Sequence, residues 1–184
     1  LSGYKPEFPN IRVNNTRTGF FEEPDFRKLL VHLDEDLRAP AEFAYLTGWR
    51  VRSEVFPLKW TQVDLEVGEI RLEPGTTKTD EGRTYIFGVL PELDNLMRSQ
   101  REKTDRLQKE QKRIIPWVFH RNGERIIDFR KSWRSAVKAA GIVGRIPHDF
   151  RRTAVRNLER SGVPRSVAMK LVGHKTESIY RRYA

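Results

Sequence analysis

The segment Pro147-His148-Asp149-Phe150-Arg151-Arg152-Thr153 is where this 184-residue chain first suggests chemistry. Residues three apart share a helix face, so His148 and Arg151 would set an imidazole beside a guanidinium. That pairs a proton-transfer group with a fork that fits a phosphate. A basic helix with a capping histidine is the plainer alternative. A second histidine closes Leu171-Val172-Gly173-His174, where the glycine signals a helix stop, and Tyr183 follows nine positions later. Taken alone, the Gly-His pair is a helix C-cap and a terminal tyrosine packs. Arg50, with Glu54 four positions on, could be half of a structural ion pair, and Lys78 in a turn could be a solvated charge.

Several other chemistries are excluded. The chain has no cysteine, which removes disulfides, thiol catalysis, iron–sulfur clusters and thiolate zinc sites. Its four histidines, His32, His120, His148 and His174, include no i,i+4 pair with acidic company, so no metal site is expected. Gly75 and Gly82 lack the Lys-Ser/Thr ending of a phosphate-cradling loop, and no Gly-x-Ser-x-Gly elbow occurs. No apolar run approaches the roughly 20 residues of a membrane helix, and Leu1-Ser2-Gly3-Tyr4-Lys5 has no signal-peptide core.

With 35 Lys+Arg against 25 Asp+Glu, the chain carries a formal charge of +10; 38% of it is apolar and 33% charged. That composition describes one soluble domain with a nucleic-acid footprint, or else a merely basic surface. A cytosolic setting is compatible with the lack of cysteine. A first residue of Leu, and an end at Ala184 just after Tyr180-Arg181-Arg182-Tyr183, are expected of a piece of something longer.

Bringing these residues together requires a largely helical frame, and the pattern supplies one. Residues 1–18, rich in Pro, Asn and Arg, read as a linker or arm. Phe26, Leu29, Leu30, Leu33 and Leu37 recur at helical spacing behind Glu22-Glu23-Pro24-Asp25. Pro40, Phe43, Tyr45 and Leu46 give a second helix ending near Gly48, and Ser53 to Leu58 a short third. Alternation in Glu69–Leu72, around Thr76–Lys78 and in Arg83–Phe87 predicts a small three-stranded antiparallel sheet. Pro91 to about Arg113 is a long charged helix, and Asn122-Gly123 marks a hairpin turn. Phe129, Trp133, Val137 and Ala140 line one helix face up to Gly141. Helices from about His148 to Ser161, from Pro164 to Leu171 and from Thr176 onward close an α+β chain.

In order along the chain stand Arg50, Lys78, His148-x-x-Arg151, Gly173-His174 and Tyr183. In that joint pattern, from about Phe20 to Ala184, the sequence resembles the catalytic domain of the tyrosine recombinases, the phage integrase family. Leu46-Thr47-Gly48-Trp49-Arg50 with Glu54 and Leu58-Lys59-Trp60 is similar to the family's first arginine box. His148-Asp149-Phe150-Arg151-Arg152-Thr153 is similar to its second. One spacing departs: Val51, Arg52 and Ser53 separate Arg50 from Glu54, where the family more often has two residues. Arg52 is therefore a rival, but Arg50 follows Thr-Gly-x as the family's arginine does. Relative to the family, the chain lacks the preceding helical DNA-clamping domain and the C-terminal segment that packs onto a neighbouring protomer. By that resemblance residues 1–18 are an arm from a missing DNA-binding domain, and residues 19–184 a catalytic domain without its C-terminal tail.

The resemblance implies site-specific DNA recombination or integration by transesterification through a 3′-phosphotyrosyl intermediate, with neither metal nor cofactor. Arg50 and Arg151 would fork the scissile phosphate, and His174 would add a hydrogen bond. Phenols ordinarily ionise near pH 10, so a tyrosine nucleophile needs a base; Tyr183 would attack with His148 taking its proton. Lys78 would protonate the departing 5′ oxygen, and Glu54 would support Arg50. Arg52, Lys59, Arg152 and Lys175 would track backbone phosphates. Tyr180, six positions after His174, is the runner-up nucleophile. The implied partner is double-stranded DNA, with a homotetramer on DNA for the full-length protein, a monomer for this fragment, and a cytoplasmic, nucleoid-associated location. A helix-turn-helix-like DNA-binding protein and a tyrosine-type topoisomerase are the alternatives.

Overall fold

The computed structural model describes residues 19–75 and 82–183. Helix α1 (Glu23–His32) has Glu23, Pro24 and Asp25 in its first turn, where a pre-set φ and negative charge both favour a helix N-terminus. The apolar run Phe26–Leu37 then divides, because the backbone turns extended at Leu33. Helix α2 (Glu35–Thr47) begins at its own acidic pair, Glu35-Asp36, so Pro40 lies buried inside it instead of starting it. It stops at Gly48, whose φ of 70° is the left-handed conformation that glycine adopts without strain. The short helix expected over Ser53–Leu58 is instead one π turn over Val51–Val55, in which the amides of Glu54 and Val55 both reach the Arg50 carbonyl.

The sheet is antiparallel in the order β1 (Val63–Asp64), β2 (Glu69–Leu72), β3 (Arg83–Ile86), with Ile70 opposite both Val63 and Tyr85. The strand expected around Thr76–Lys78 falls outside the described residues. The third strand here is β1, two residues long and therefore too short to alternate visibly. Helix α3 (Pro91–Gln111) precedes a small hairpin, β4 (His120–Arg121) and β5 (Glu124–Arg125), joined by Asn122-Gly123 at positive φ. Helices α4 (Arg130–Ala139), α5 (Asp149–Arg160), α6 (Arg165–Val172) and α7 (Glu177–Arg181) complete the order.

One aromatic-rich core holds Phe21, Phe26, Phe43, Trp49, Phe119, Trp133 and Phe150. A smaller cluster of Val155, Ala168, Val172 and Tyr180 joins α5, α6 and α7. Helix α5 packs against both α2 and α6, so its first two turns are buried, including the charged Asp149, Arg151 and Arg152. Among the described residues no helix is long and apolar enough to cross a membrane, and no three metal-ligating side chains converge.

Candidate active site

The turn after α2 is built tightly. The Thr47 hydroxyl donates to the Phe43 carbonyl at 2.7 Å and accepts from the Trp49 amide at 3.2 Å. A Cβ on Gly48 would approach Ala154 Cβ to 2.9 Å, so glycine is required both by φ and by the closeness of α5. Arg50 leaves this turn with its amide on Glu54 Oε2 at 2.6 Å and its Nη1 on Glu54 Oε1 at 3.1 Å. The Glu54 carboxylate is buried, while Arg50 stays partly open. The extra residue between Arg50 and Glu54 is housed in the π turn, which is wide enough to bring the two together. Arg52 points to solvent and is not part of this pair.

Arg151 is 1% exposed and bonds only neutral groups. Its Nε donates to His174 Nε2 at 3.0 Å, Nη1 to the Gly48 carbonyl at 2.9 Å and Nη2 to the Gly173 carbonyl at 3.2 Å. A guanidinium has five donors, so one N–H on each Nη remains, the two prongs of a fork. Burial first, and then Arg50, push its pKa down to about 9, which leaves it protonated at neutral pH. A buried charge without a carboxylate is costly unless something anionic completes it. His174 sits after the left-handed Gly173 that ends α6, and its buried Nδ1 has no partner among the described residues. Burial, then Arg151 and Arg50, hold this imidazole down at about 3.

His148 Nε2 lies 2.8 Å from the Tyr183 hydroxyl. The pKa of His148 is lowered, first by the protein atoms packed around the imidazole and then by the charges of Arg151, Arg50 and Arg152, although the residue as a whole is exposed. A neutral imidazole there can accept the phenolic proton. The His174 and Tyr183 rings are tilted together with centroids 4.8 Å apart, so both histidines flank one phenol. Tyr180 differs sharply: it is 0% exposed in the smaller core and its hydroxyl has no partner among the described residues. Tyr183 is half-buried.

Arg50, Arg52, His148 and Arg151 line one groove of about 840 Å³ together with the aromatic Trp49, Phe129 and Trp133 and the basic Arg130, Lys131 and Arg134. Arg152, expected among the phosphate-tracking residues, is largely buried; its Nη1 donates to the Arg182 carbonyl at 3.1 Å and its guanidinium lies over the Tyr183 ring at 5.1 Å. It supports the tyrosine. Lys59 is exposed over Trp117, and Lys175 is exposed beside His174. Lys78 lies outside the described residues. Sequence reasoning missed Arg83, whose side chain reaches Glu54 from β3 at 3.1 Å. The available signal was the alternation in β3, which places Arg83 on the inward face with Tyr85.

The phage integrase family's sequence profile matches residues 20–184. The integrase of Salmonella phage P22 is 29% identical over 193 residues, spanning 96% of this chain and 46% of that protein. Among solved structures, XerA recombinase superposes with a TM-score of 0.72 at 23% identity, covering 90% of this chain and 60% of that one. A lambda integrase dimer bound to a COC′ core site superposes with a TM-score of 0.66 at 18% identity, covering 89% of this chain and 58% of that one. The chain thus spans about half the length of the curated relative it matches. With the profile running from just before α1 to the end of the chain, across Arg50, His148, Arg151 and His174, the chain belongs to the phage integrase family.

Proposed function

We propose that this chain is the catalytic part of a site-specific DNA recombinase that cuts and rejoins one strand at a time through Tyr183. The observation that carries the reading is Arg151: a fully buried guanidinium with three neutral acceptors and a free fork, next to a His148–Tyr183 pair at 2.8 Å. A phosphodiester satisfies both halves of that arrangement. Arg50 and Arg151 hold its non-bridging oxygens, which gain negative charge in the transition state. His174 donates from Nδ1, since its Nε2 is occupied by Arg151. Tyr183 gives its proton to His148 and attacks phosphorus, the P–O5′ bond breaks, and Lys78 supplies the proton that leaves with the 5′-hydroxyl. The new 3′-phosphotyrosyl ester keeps the energy of the broken bond, so a 5′-hydroxyl from a second strand reverses the step.

Charge neutralisation by guanidinium groups makes a metal or nucleotide cofactor unnecessary in this scheme. The DNA partner is supported by the net charge of +10, by the basic walls of the groove and by the lambda relative bound to its core site. We assign residues 19–184 the catalytic role and residues 1–18 the connection to a DNA-binding domain, with assembly as a tetramer on DNA in the cytoplasm. The test is incubation of the full-length protein with a nicked duplex bearing its attachment sequence, in excess chelator, followed by denaturing electrophoresis. A covalent protein–DNA band is expected. Binding without that band would mean a DNA reader, and, in a parallel incubation with a supercoiled plasmid, relaxation without strand exchange would mean a topoisomerase.

A further inference from the structure

We propose that Arg83 on β3 is a positioning residue for this site, holding the Arg50–Glu54 pair and the Gly173–His174 turn in register. The proposal rests on the reading of Arg50 and His174 as phosphate ligands. Three observations meet at this one side chain. Its Nη2 lies 3.1 Å from Glu54 Oε1, the same oxygen that Arg50 Nη1 reaches at 3.1 Å. Its guanidinium lies over the Trp49 ring, 4.3 Å from the centroid, on the residue that precedes Arg50. Its Nη1 fills the space beside Gly173 so fully that a Cβ there would collide with it.

Arg83 is 13% exposed and does not line the groove, so it acts through its neighbours and not on a ligand. Glu54 is one carboxylate serving two guanidinium groups. While Arg83 takes part of that negative charge, Arg50 keeps positive potential facing the groove. Without Arg83 the whole of Glu54 falls to Arg50, which is drawn back toward its partner and loses pull on an anion. The vacated space beside Gly173 would also free the backbone that carries His174. Burial is the main influence lowering the pKa of Arg83; among the described residues neither its Nε nor its Nη2 makes a hydrogen bond, so Nη2 meets Glu54 as an ion pair, and a guanidinium kept there against that cost is held for position and charge.

The experiment measures single-turnover cleavage of the nicked attachment duplex by the full-length protein, on a normal scissile phosphate and on a methylphosphonate that carries no charge to neutralise. DNA affinity and melting temperature are measured alongside. Arg83→Met should bind DNA as the wild type does but cleave the phosphate on the order of tenfold or more slowly, a part of the hundredfold or greater cost of removing a donor to the transition-state oxyanion outright. Arg83→Lys should recover part of the rate. On the methylphosphonate the Arg83→Met defect should shrink to a few-fold, because Arg50's charge is no longer needed. A defect of equal size on both substrates would overturn the proposal, as would wild-type cleavage by Arg83→Met. Should Arg83→Met not fold, Arg83→Lys is compared on the same two substrates, with the same pattern expected in smaller measure. No adduct from the wild type would refute the underlying function, and an undiminished Arg50→Ala would refute the phosphate role of Arg50; neither outcome resembles a failure at Arg83 alone.

Discussion

Arg151 Nε donates to His174 Nε2 across 3.0 Å, and that bond fixes which imidazole nitrogen is left to donate. With Nε2 accepting, the proton resides on Nδ1, the buried atom without a partner among the described residues. The ring therefore acts as a neutral donor. His174→Gln, which keeps a donor and an acceptor without a titrating group, should retain cleavage to within about tenfold. His174→Phe should lose on the order of a hundredfold or more, as when a donor to a developing oxyanion is removed. Single-turnover rates at neutral pH check this, and equal losses in the two variants would mean that the ring only packs.

The same burial makes His174 a liability in acid. Its folded-state pKa is depressed to about 3 from an ordinary 6.5, so the unfolded chain binds the proton first. Its stabilising contribution is complete above about pH 6.5 and is lost as pH falls toward 3, with a slope of up to about 1.4 kcal/mol per pH unit. Denaturant unfolding at pH 6.5 and pH 4.5 should show the wild type losing more stability than His174→Gln. A larger loss in the variant would reverse the sign and the account.

With His148 as the proposed base, it would set the acid limb of catalysis. Its pKa is lowered, so the base form persists below the usual histidine range and cleavage should decline only under about pH 6.5. His148→Gln should be slow and should lack that limb in its pH–rate profile. An unchanged limb in the variant would assign it to another group.

Lys78 is tested by the leaving group. Water, a guide to alcohols, has a pKa of about 15.7, whereas a thiol sits near 8.5, so a 5′-bridging sulfur departs without a proton. Lys78→Ala should be severely slow on normal DNA and largely rescued on the sulfur-substituted strand. Arg50→Ala and Arg151→Ala should not be rescued, since their task lies on the non-bridging oxygens. Equal Lys78→Ala defects on both substrates would reduce Lys78 to a clamp.

Local signals made much of this structure legible. Gly48 and Gly173 end helices where their sequence contexts place them, and Asn122-Gly123 turns the hairpin. The paired spacing of His148 and Arg151 puts both on the groove. What the sequence hid were features decided by tertiary contact. The π turn at Val51–Val55 exists because Glu54 must reach back to Arg50, which no periodicity encodes. Strand β1 exists only by pairing with β2. Arg152 reads as a surface charge tracking backbone phosphates beside the phosphate-forking Arg151, yet α5 buries both, and depth along a helix between α2 and α6 is not written in charge alone. In the sequence Arg83 is an ordinary strand residue, because a charge on an inward face has meaning only once its partner, Glu54, is in place.

In the proposed mechanism Tyr183, and not the buried Tyr180, forms the bond to DNA. The most direct measurement is digestion of the trapped adduct followed by mass spectrometry of the nucleotide-bearing peptide, run beside Tyr183→Phe and Tyr180→Phe. Modification is expected at Tyr183, with no adduct in Tyr183→Phe although DNA binding is retained, and an adduct still formed by Tyr180→Phe. Modification at Tyr180, or an adduct that survives Tyr183→Phe and disappears in Tyr180→Phe, would contradict it.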